Sequence, residues 1–328
     1  MRNTWTHLYH QFCPDYCSRM GRVRLQVGPN SVWLCALMTV VVISLAVGCV
    51  SSPHPVYQFP LRKQTRYFDL HYERNSPQIE VMARFADGYI NLINRDFFKP
   101  DFEYPIQVFV LGNQNRFENF VQRELHVPGP AGFGIYLYSN KLLATYEDSG
   151  LGTFTHETFH AFVERDLKSR PAWADEGVPT FFEKFYGYWK NDELVLFWGF
   201  QNPWRIRELG NNLTQLNLSE VLSDQNPESD ESKLRMVSLF LWQQGRFRRF
   251  LKLIAANDKR GYASYFEAAM ELPLEKIVSL WQNYLLDVDR RRAAILSLPL
   301  STVFENEGEF RTFAKLHGIS TEQVKQRD

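Results

Sequence analysis

Cysteine is scarce in this chain and confined to its amino end. The 328 residues contain four cysteines, Cys13, Cys17, Cys35 and Cys49, and none follows Cys49. The long remainder therefore has neither a disulfide framework nor a thiolate metal site. Any metal bound by that part has to be held by histidine and carboxylate side chains.

An excess of charge of either sign is also missing. The chain has 37 basic and 37 acidic residues, so its formal net charge is zero. No basic surplus favours a nucleic-acid partner, and we expect none. Internal repeats and low-complexity tracts are absent as well. Since 45% of the residues are hydrophobic and 15% are aromatic, the bulk of the chain can build a sizeable core.

One long stretch carries no charge. Residues 32–47 are apolar and follow Arg19, Arg22 and Arg24, a sequence typical of a signal peptide. The stretch ends in Ala-Val-Gly-Cys, with the cysteine at position 49, which resembles the lipobox of bacterial lipoproteins. That resemblance implies that Cys49 is lipidated and becomes the new amino terminus. An uncleaved transmembrane anchor or a cleaved secretory signal are the alternatives.

All three interpretations place the folded part outside the cytoplasm. We therefore expect the protein in the bacterial cell envelope, anchored to the membrane by a lipid and facing the periplasm or the exterior.

The rest of the chain divides into two patterns. Before residue 202, alternating or continuous apolar runs predict strands among helices, with hairpins in residues 133–146 and 186–200. Beyond residue 202, helical spacing dominates. The sequence predicts an α+β fold, with a signal segment and tether in residues 1–52, an α+β subdomain in 53–201 and a helical subdomain in 202–328.

The motif His-Glu-Thr-Phe-His begins at His156, within a predicted helix over residues 150–168. Residues four apart lie on one face of a helix, so His156 and His160 can both reach one ion. Glu157 lies about 100° round the helix from His156, so it can miss the metal and still contact a water beside it. This is the pattern of a zinc protease whose glutamate is the general base.

A tryptophan and a glutamate follow the motif, in the sequence Trp173-Ala-Asp-Glu-Gly. H-E-x-x-H followed by W-x-x-E-G resembles the gluzincins, and the local pattern is similar to the peptidase MA-like domains of bacterial envelope proteins. The resemblance covers about residues 133–185. It implies a zincin-like catalytic subdomain with one Zn²⁺, whose ligands are His156, His160 and Glu176 and whose catalytic base is Glu157.

Two features depart from the family pattern. Only 15 residues separate His160 from Glu176, and Pro179 stands where a helix former is usual. Proline is tolerated in the first turn of a helix but not well inside it. The second helix must therefore begin near Glu176 or be irregular. The alternative third ligands are Asp175, Glu183 and Glu164.

The resemblance also implies how a substrate binds and reacts. In such folds the hairpin before the catalytic helix offers its edge strand, here residues 132–138, to a peptide, which adds as an extra strand. Zinc activates a water, Glu157 takes its proton and passes it to the leaving amine, and a further donor stabilises the oxyanion. The candidate donors are Tyr136, Tyr146, Tyr186, Tyr188, Tyr262 and Tyr265.

The leading hypothesis is thus a membrane-tethered zinc peptidase that acts on a peptide or protein substrate. One alternative is a catalytically silent envelope lipoprotein that uses the same fold for binding or assembly. Another is a chance pattern in which the histidines are purely structural. The first alternative binds zinc without turnover, and the second binds no zinc.

Overall fold

Five strands form the larger sheet of the amino-terminal half. In this computed structural model, residues 57–97, 105–129, 132–166, 172–223, 230–256 and 262–322 are described. The strands are β1 (Leu61–Gln64), β2 (Phe68–Tyr72), β3 (Ile106–Leu111), β4 (Gly134–Leu137) and β5 (Leu142–Tyr146). Their spatial order is β1-β2-β3-β5-β4. The inner strands β2, β3 and β5 are parallel, whereas β1 and β4 pair antiparallel at the two edges.

Helix α1 (Pro77–Asp96) connects β2 to β3. Its amino end is capped by Ser76, whose hydroxyl accepts the Ile79 N–H, and Pro77 occupies the first turn. Apolar residues at helical spacing give α1 one buried face, and Phe85 stacks on Phe185 with ring centroids 5.4 Å apart. Helix α2 (Gln114–Arg123) follows β3 and is capped in the same way by Asn113.

Helix α3 (Gly150–Asp166) runs through the core after β5. A run of ten residues from Phe154 to Val163 is buried on every face. A helix that is buried all round is a core element, so its polar side chains need internal partners. Two shorter helices follow, α4 (Ala172–Asp175) and α5 (Gly177–Phe182).

A second, three-stranded sheet has the order β7-β6-β8. Strands β6 (Tyr186–Lys190) and β7 (Glu193–Phe197) form a hairpin, and β8 (Thr302–Phe304) pairs parallel to β6. Asn191 and Asp192 form the two-residue turn with φ of 49° and 64°. Both residue types tolerate this left-handed region, which a tight hairpin turn requires.

The carboxy-terminal half is mostly helical. The helices are α6 (Pro203–Leu209), α7 (Leu218–Ser223), α8 (Glu231–Gln243), α9 (Phe247–Ala256), α10 (Tyr262–Met270), α11 (Leu274–Arg290), α12 (Arg292–Leu296) and α13 (Glu307–Leu316). One apolar core joins α8, α9 and α11 to the helices of the first half. Residues from Phe59 onward group into one compact unit.

The predicted α+β class and layout are confirmed: mixed sheets lie in the first half and helices dominate the second. No helix among the described residues is both long enough and apolar enough to cross a bilayer. The expected signal segment, tether and Cys49 lie outside the described residues.

Candidate metal centre

His156 and His160 converge on one point from α3. Both side chains are buried, and their Nε2 atoms lie 3.1 Å apart. The four-residue spacing places them one turn apart on the same face, as the sequence predicts. Two ring nitrogens at this distance share either one proton or one metal ion.

Glu176 joins the two histidines from the break between α4 and α5. Its Oε2 lies 3.5 Å from His156 Nε2 and 3.7 Å from His160 Nε2. The break explains how Pro179 is accommodated, because α5 begins at Gly177 and the proline falls in its first turn. The carbonyl of Gly177 accepts the Ser238 hydroxyl at 2.8 Å, which fixes this turn against α8.

The three donor atoms fit a metal ion. Donors about 2.0–2.1 Å from a tetrahedral zinc lie about 3.3–3.4 Å apart. The observed separations of 3.1, 3.5 and 3.7 Å bracket that value. Two imidazoles and one carboxylate also form a donor set that zinc accepts, and three protein ligands leave a position open.

The outer nitrogen of His156 is held by a buried ion-pair network. Its Nδ1 lies 3.0 Å from Glu183 Oε1, and Glu183 also accepts from Arg205 at 2.5 Å and from Asn202 at 3.1 Å. Burial alone would raise the pKa of Glu183, but the Arg205 guanidinium outweighs it and holds that pKa below its usual range. Glu183 is therefore a carboxylate that accepts the His156 Nδ1–H. This hydrogen bond directs the Nε2 lone pair of His156 toward His160 and Glu176.

A second acidic group lies beside this network. Donor atoms of His156, Glu183 and Glu231 come within 4.8 Å of one another. Arg205 donates to both carboxylates. The guanidinium already supplies the positive charge between them, so we do not interpret this group as a second metal site.

The outer nitrogen of His160 contacts Tyr138. The Tyr138 hydroxyl lies 3.0 Å from His160 Nδ1 and donates to Asp175 Oδ1 at 2.8 Å. Both histidines thus present their Nε2 atoms to Glu176 while hydrogen bonds engage their Nδ1 atoms.

Glu157 packs against the edge strand β4. A Cβ added to Gly134 would lie 2.7 Å from Glu157 Cγ, so glycine lets the strand approach this side chain. Burial raises the pKa of Glu157 to about 7, although His156 and the backbone N–H of Tyr136 favour the ionised form. A carboxyl group with this pKa can both accept and return a proton near neutral pH.

Protons compete with a metal ion for the side chains of His156, His160 and Glu176. Burial raises the pKa of Glu176 to about 8. Burial opposes protonation of His156, but hydrogen bonds to Glu176 and Glu183 outweigh it and raise the pKa of His156 above its usual value. A bound dication would favour neutral histidines and an ionised Glu176, so metal binding would release protons.

The alternative third ligands have other partners. Asp175 accepts from Tyr138, Glu183 from His156, and Glu164 accepts the Tyr136 hydroxyl at 3.2 Å. The first two support the histidines from behind, and Glu164 lies one turn beyond His160 on α3.

The tyrosines proposed as oxyanion donors have varied surroundings. The Tyr186 hydroxyl donates to the Pro299 carbonyl at 2.7 Å, and the Tyr136 hydroxyl goes to Glu164. The ring of Tyr146 lies tilted against that of Phe117, whereas Tyr188 stacks on Phe310 in a separate apolar cluster. Tyr265 lies in the main core. The side chain of Tyr262 lies outside the described residues.

The residues of this site that the sequence does not predict include Tyr138 and Arg205. Tyr138 and Arg205 contact the site from 22 residues before His160 and 22 residues after Glu183, respectively. Neither belongs to a motif. For Tyr138, the available signal was its position at the end of the predicted edge strand before the catalytic helix.

Neither protein-family models nor curated proteins match this chain. The likeness to gluzincins therefore remains a resemblance of motif.

Proposed function

We propose that this protein is a zinc-dependent peptidase, with His156, His160 and Glu176 as ligands and Glu157 as general base. One observation carries the proposal: three donor atoms, two imidazole nitrogens and one carboxylate oxygen, lie 3.1 to 3.7 Å apart. Hydrogen bonds engage the outer nitrogens of both histidines, which favours convergence of their inner nitrogens on a cation.

Zinc bound at these residues would act as a Lewis acid toward a carbonyl and lower the pKa of water toward about 7. Glu157 supplies the proton transfers: it takes a proton from the attacking water and delivers it to the leaving amine. The neighbouring dication would favour its ionised form, which is the form that a base needs.

The edge strand supports an extended peptide as the substrate. Among the described residues β4 pairs only with β5, so it forms one end of the sheet. Its backbone meets Glu157 at Gly134 and Tyr136. A peptide added along this edge would bring a backbone carbonyl next to the proposed base and metal.

The membrane tether is part of the proposal and rests on the sequence before residue 53. A lipid on Cys49 would hold the catalytic unit at the outer face of the cytoplasmic membrane or at the outer membrane. Metabolic labelling with palmitate, wild type beside Cys49→Ser, tests this anchor.

The variant Glu157→Gln tests the mechanism. The amide cannot act as the base. Because Glu157 does not belong to the donor triangle formed by His156, His160 and Glu176, zinc content should stay at the wild-type level. Hydrolysis of a quenched-fluorescence peptide library by the full chain in detergent should fall by about 10²- to 10⁴-fold. Unchanged hydrolysis would show the mechanism to be wrong. Zinc binding without hydrolysis in the wild type would favour the silent lipoprotein instead.

A further inference from the structure

Tyr138 stands between a proposed metal ligand and a carboxylate. Its hydroxyl oxygen lies 3.0 Å from His160 Nδ1 and 2.8 Å from Asp175 Oδ1. The Tyr138 ring meets the imidazole edge-on, with centroids 5.9 Å apart and planes at 77°. The three groups form a chain that runs from Asp175 through Tyr138 to His160.

The chemistry of the groups sets the direction of the hydrogen bonds. The Tyr138 hydroxyl donates to Asp175 Oδ1, so the phenolic proton points to that oxygen. The oxygen of Tyr138 then offers a lone pair to His160, and Nδ1 carries the proton that it accepts. With Nδ1 protonated, a neutral imidazole presents its Nε2 lone pair to the donor triangle.

We propose that Tyr138 and Asp175 are positioning residues that set the tautomer and ring orientation of His160 for metal binding. This inference rests on the proposed function, which supplies the metal. The hydrogen-bond chain itself consists of protein groups only and can be tested without a metal. Glu183 performs the matching task for His156. The two ligands are thus oriented by different means, a direct carboxylate for one and a tyrosine relay for the other.

The relay also connects elements that the proposed function uses separately. Tyr138 follows β4 directly, at the end of the edge proposed for the substrate. Asp175 is the last residue of α4 and directly precedes Glu176. One hydroxyl therefore ties the edge-strand hairpin to both His160 and the turn that carries the third ligand.

Tyr136 provides a matched control on the same hairpin. Its ring lies parallel to His160 within 17°, at a centroid distance of 6.4 Å, but its hydroxyl goes to Glu164. Removing this hydroxyl perturbs the same neighbourhood without breaking the relay.

Zinc affinity is the first test, measured on the metal-stripped full chain in detergent by competition with a chromophoric chelator. Tyr138→Phe should weaken zinc binding by about 10- to 100-fold, the usual loss when an outer partner of a ligand is removed. Asp175→Ala should do the same, and Asp175→Asn should lose less because its amide oxygen still accepts. The double variant Tyr138→Phe/Asp175→Ala should be no weaker than about the worse single variant, since both act through one chain.

The tautomer of His160 is the second test and needs no metal. In metal-free wild type, nitrogen NMR of the neutral ring should show the proton on Nδ1, and in Tyr138→Phe the two tautomers should mix. Tyr136→Phe should leave both the tautomer and the zinc affinity within about twofold of wild type.

The outcomes separate the two proposals. Equal zinc affinity and an unchanged His160 tautomer in Tyr138→Phe would overturn the relay while leaving the peptidase proposal intact. A wild type that binds no zinc would overturn the peptidase proposal, and the tautomer measurement would still decide the relay.

Discussion

At the scale of single residues, the site is organised by groups that do not themselves form the donor triangle. The motif identified His156, His160 and Glu176, and the structure brings these three together. The spacing of a helix was enough for the two histidines. It was not enough for their outer partners, because Tyr138 and Glu183 reach them across 22 and 27 residues of chain. The sequence predicts Glu183 only as an alternative ligand.

Glu183 should matter to folding as much as to metal binding. It is buried beside two buried arginines, Arg205 and Arg235, and Glu183→Ala removes their shared counter-charge. Breaking a buried ion pair by removing one partner typically costs about 3–5 kcal/mol. Urea unfolding of the metal-free protein should show a loss of that size.

Glu231→Ala is the control for this prediction. Glu231 also pairs with Arg205, but its side chain is 39% exposed. It should cost no more than about 1 kcal/mol, as exposed ion pairs do. Equal losses in the two variants would contradict a special role for Glu183.

Lys184 should give stability a distinctive pH dependence. Burial lowers the pKa of Lys184 from 10.5 to about 7 in the folded protein, with Arg235 adding to the effect. Between those two values the unfolded chain binds more protons than the folded one, so this group makes stability rise with pH. Below about pH 7 both states hold the proton and the group contributes no slope.

Lys184→Met should remove that rise. The free energy of unfolding, measured from pH 6 to about 10 by urea titration, should increase in the wild type relative to the variant. Parallel curves for the two proteins would mean that Lys184 keeps an ordinary pKa.

At the scale of elements, periodicity predicted most of the amino-terminal half. Helix α3 and both hairpins lie where apolar spacing and turn residues predict them. Strands β1 and β8 were missed. They are four and three residues long, and their register depends on β2 and β6, which lie elsewhere in the chain. In the second half, helical spacing does not predict where one helix ends and the next begins, as at the turn of Gly245 between α8 and α9.

The packing of α5 on α8 should control the position of Glu176. A Cβ added to Gly177 would lie 2.9 Å from the Leu234 carbonyl oxygen and 3.1 Å from its Cβ. Gly177→Ala must therefore push α5 away from the backbone of α8. We expect a loss of about 1–3 kcal/mol in unfolding free energy, as for other overpacked sites, together with weaker zinc binding.

Gly308→Ala is the matching control. A Cβ there meets only the Asn306 side-chain oxygen, at 3.2 Å, and the position lies far along the chain in α13. Its effect should stay within about 1 kcal/mol. If Gly177→Ala lowers the unfolding free energy no more than Gly308→Ala and leaves zinc affinity unchanged, the close approach of α5 and α8 does not control the position of Glu176.

At the scale of the whole molecule, a segment near the carboxy terminus, residues 299–304, contacts the part of the chain that follows the proposed third ligand. Ser301 donates to the Glu183 carbonyl at 2.6 Å, and β8 continues from there along β6. The Pro299 carbonyl accepts from both Lys184 and Tyr186. The segment that follows the proposed third ligand is therefore held by residues more than 110 positions later. Sequence spacing carries no record of such contacts, so this return of the chain to Glu183 and β6 could not be predicted from the sequence.

The metal content of the protein tests the central claim most directly. Full-length wild type and His160→Ala would be equilibrated with zinc, passed through gel filtration and analysed for bound metal by elemental analysis, with folding checked by circular dichroism. The account predicts about one zinc per wild-type chain, as for a single three-ligand site, and none in the variant. A folded wild type that retains no zinc would contradict it.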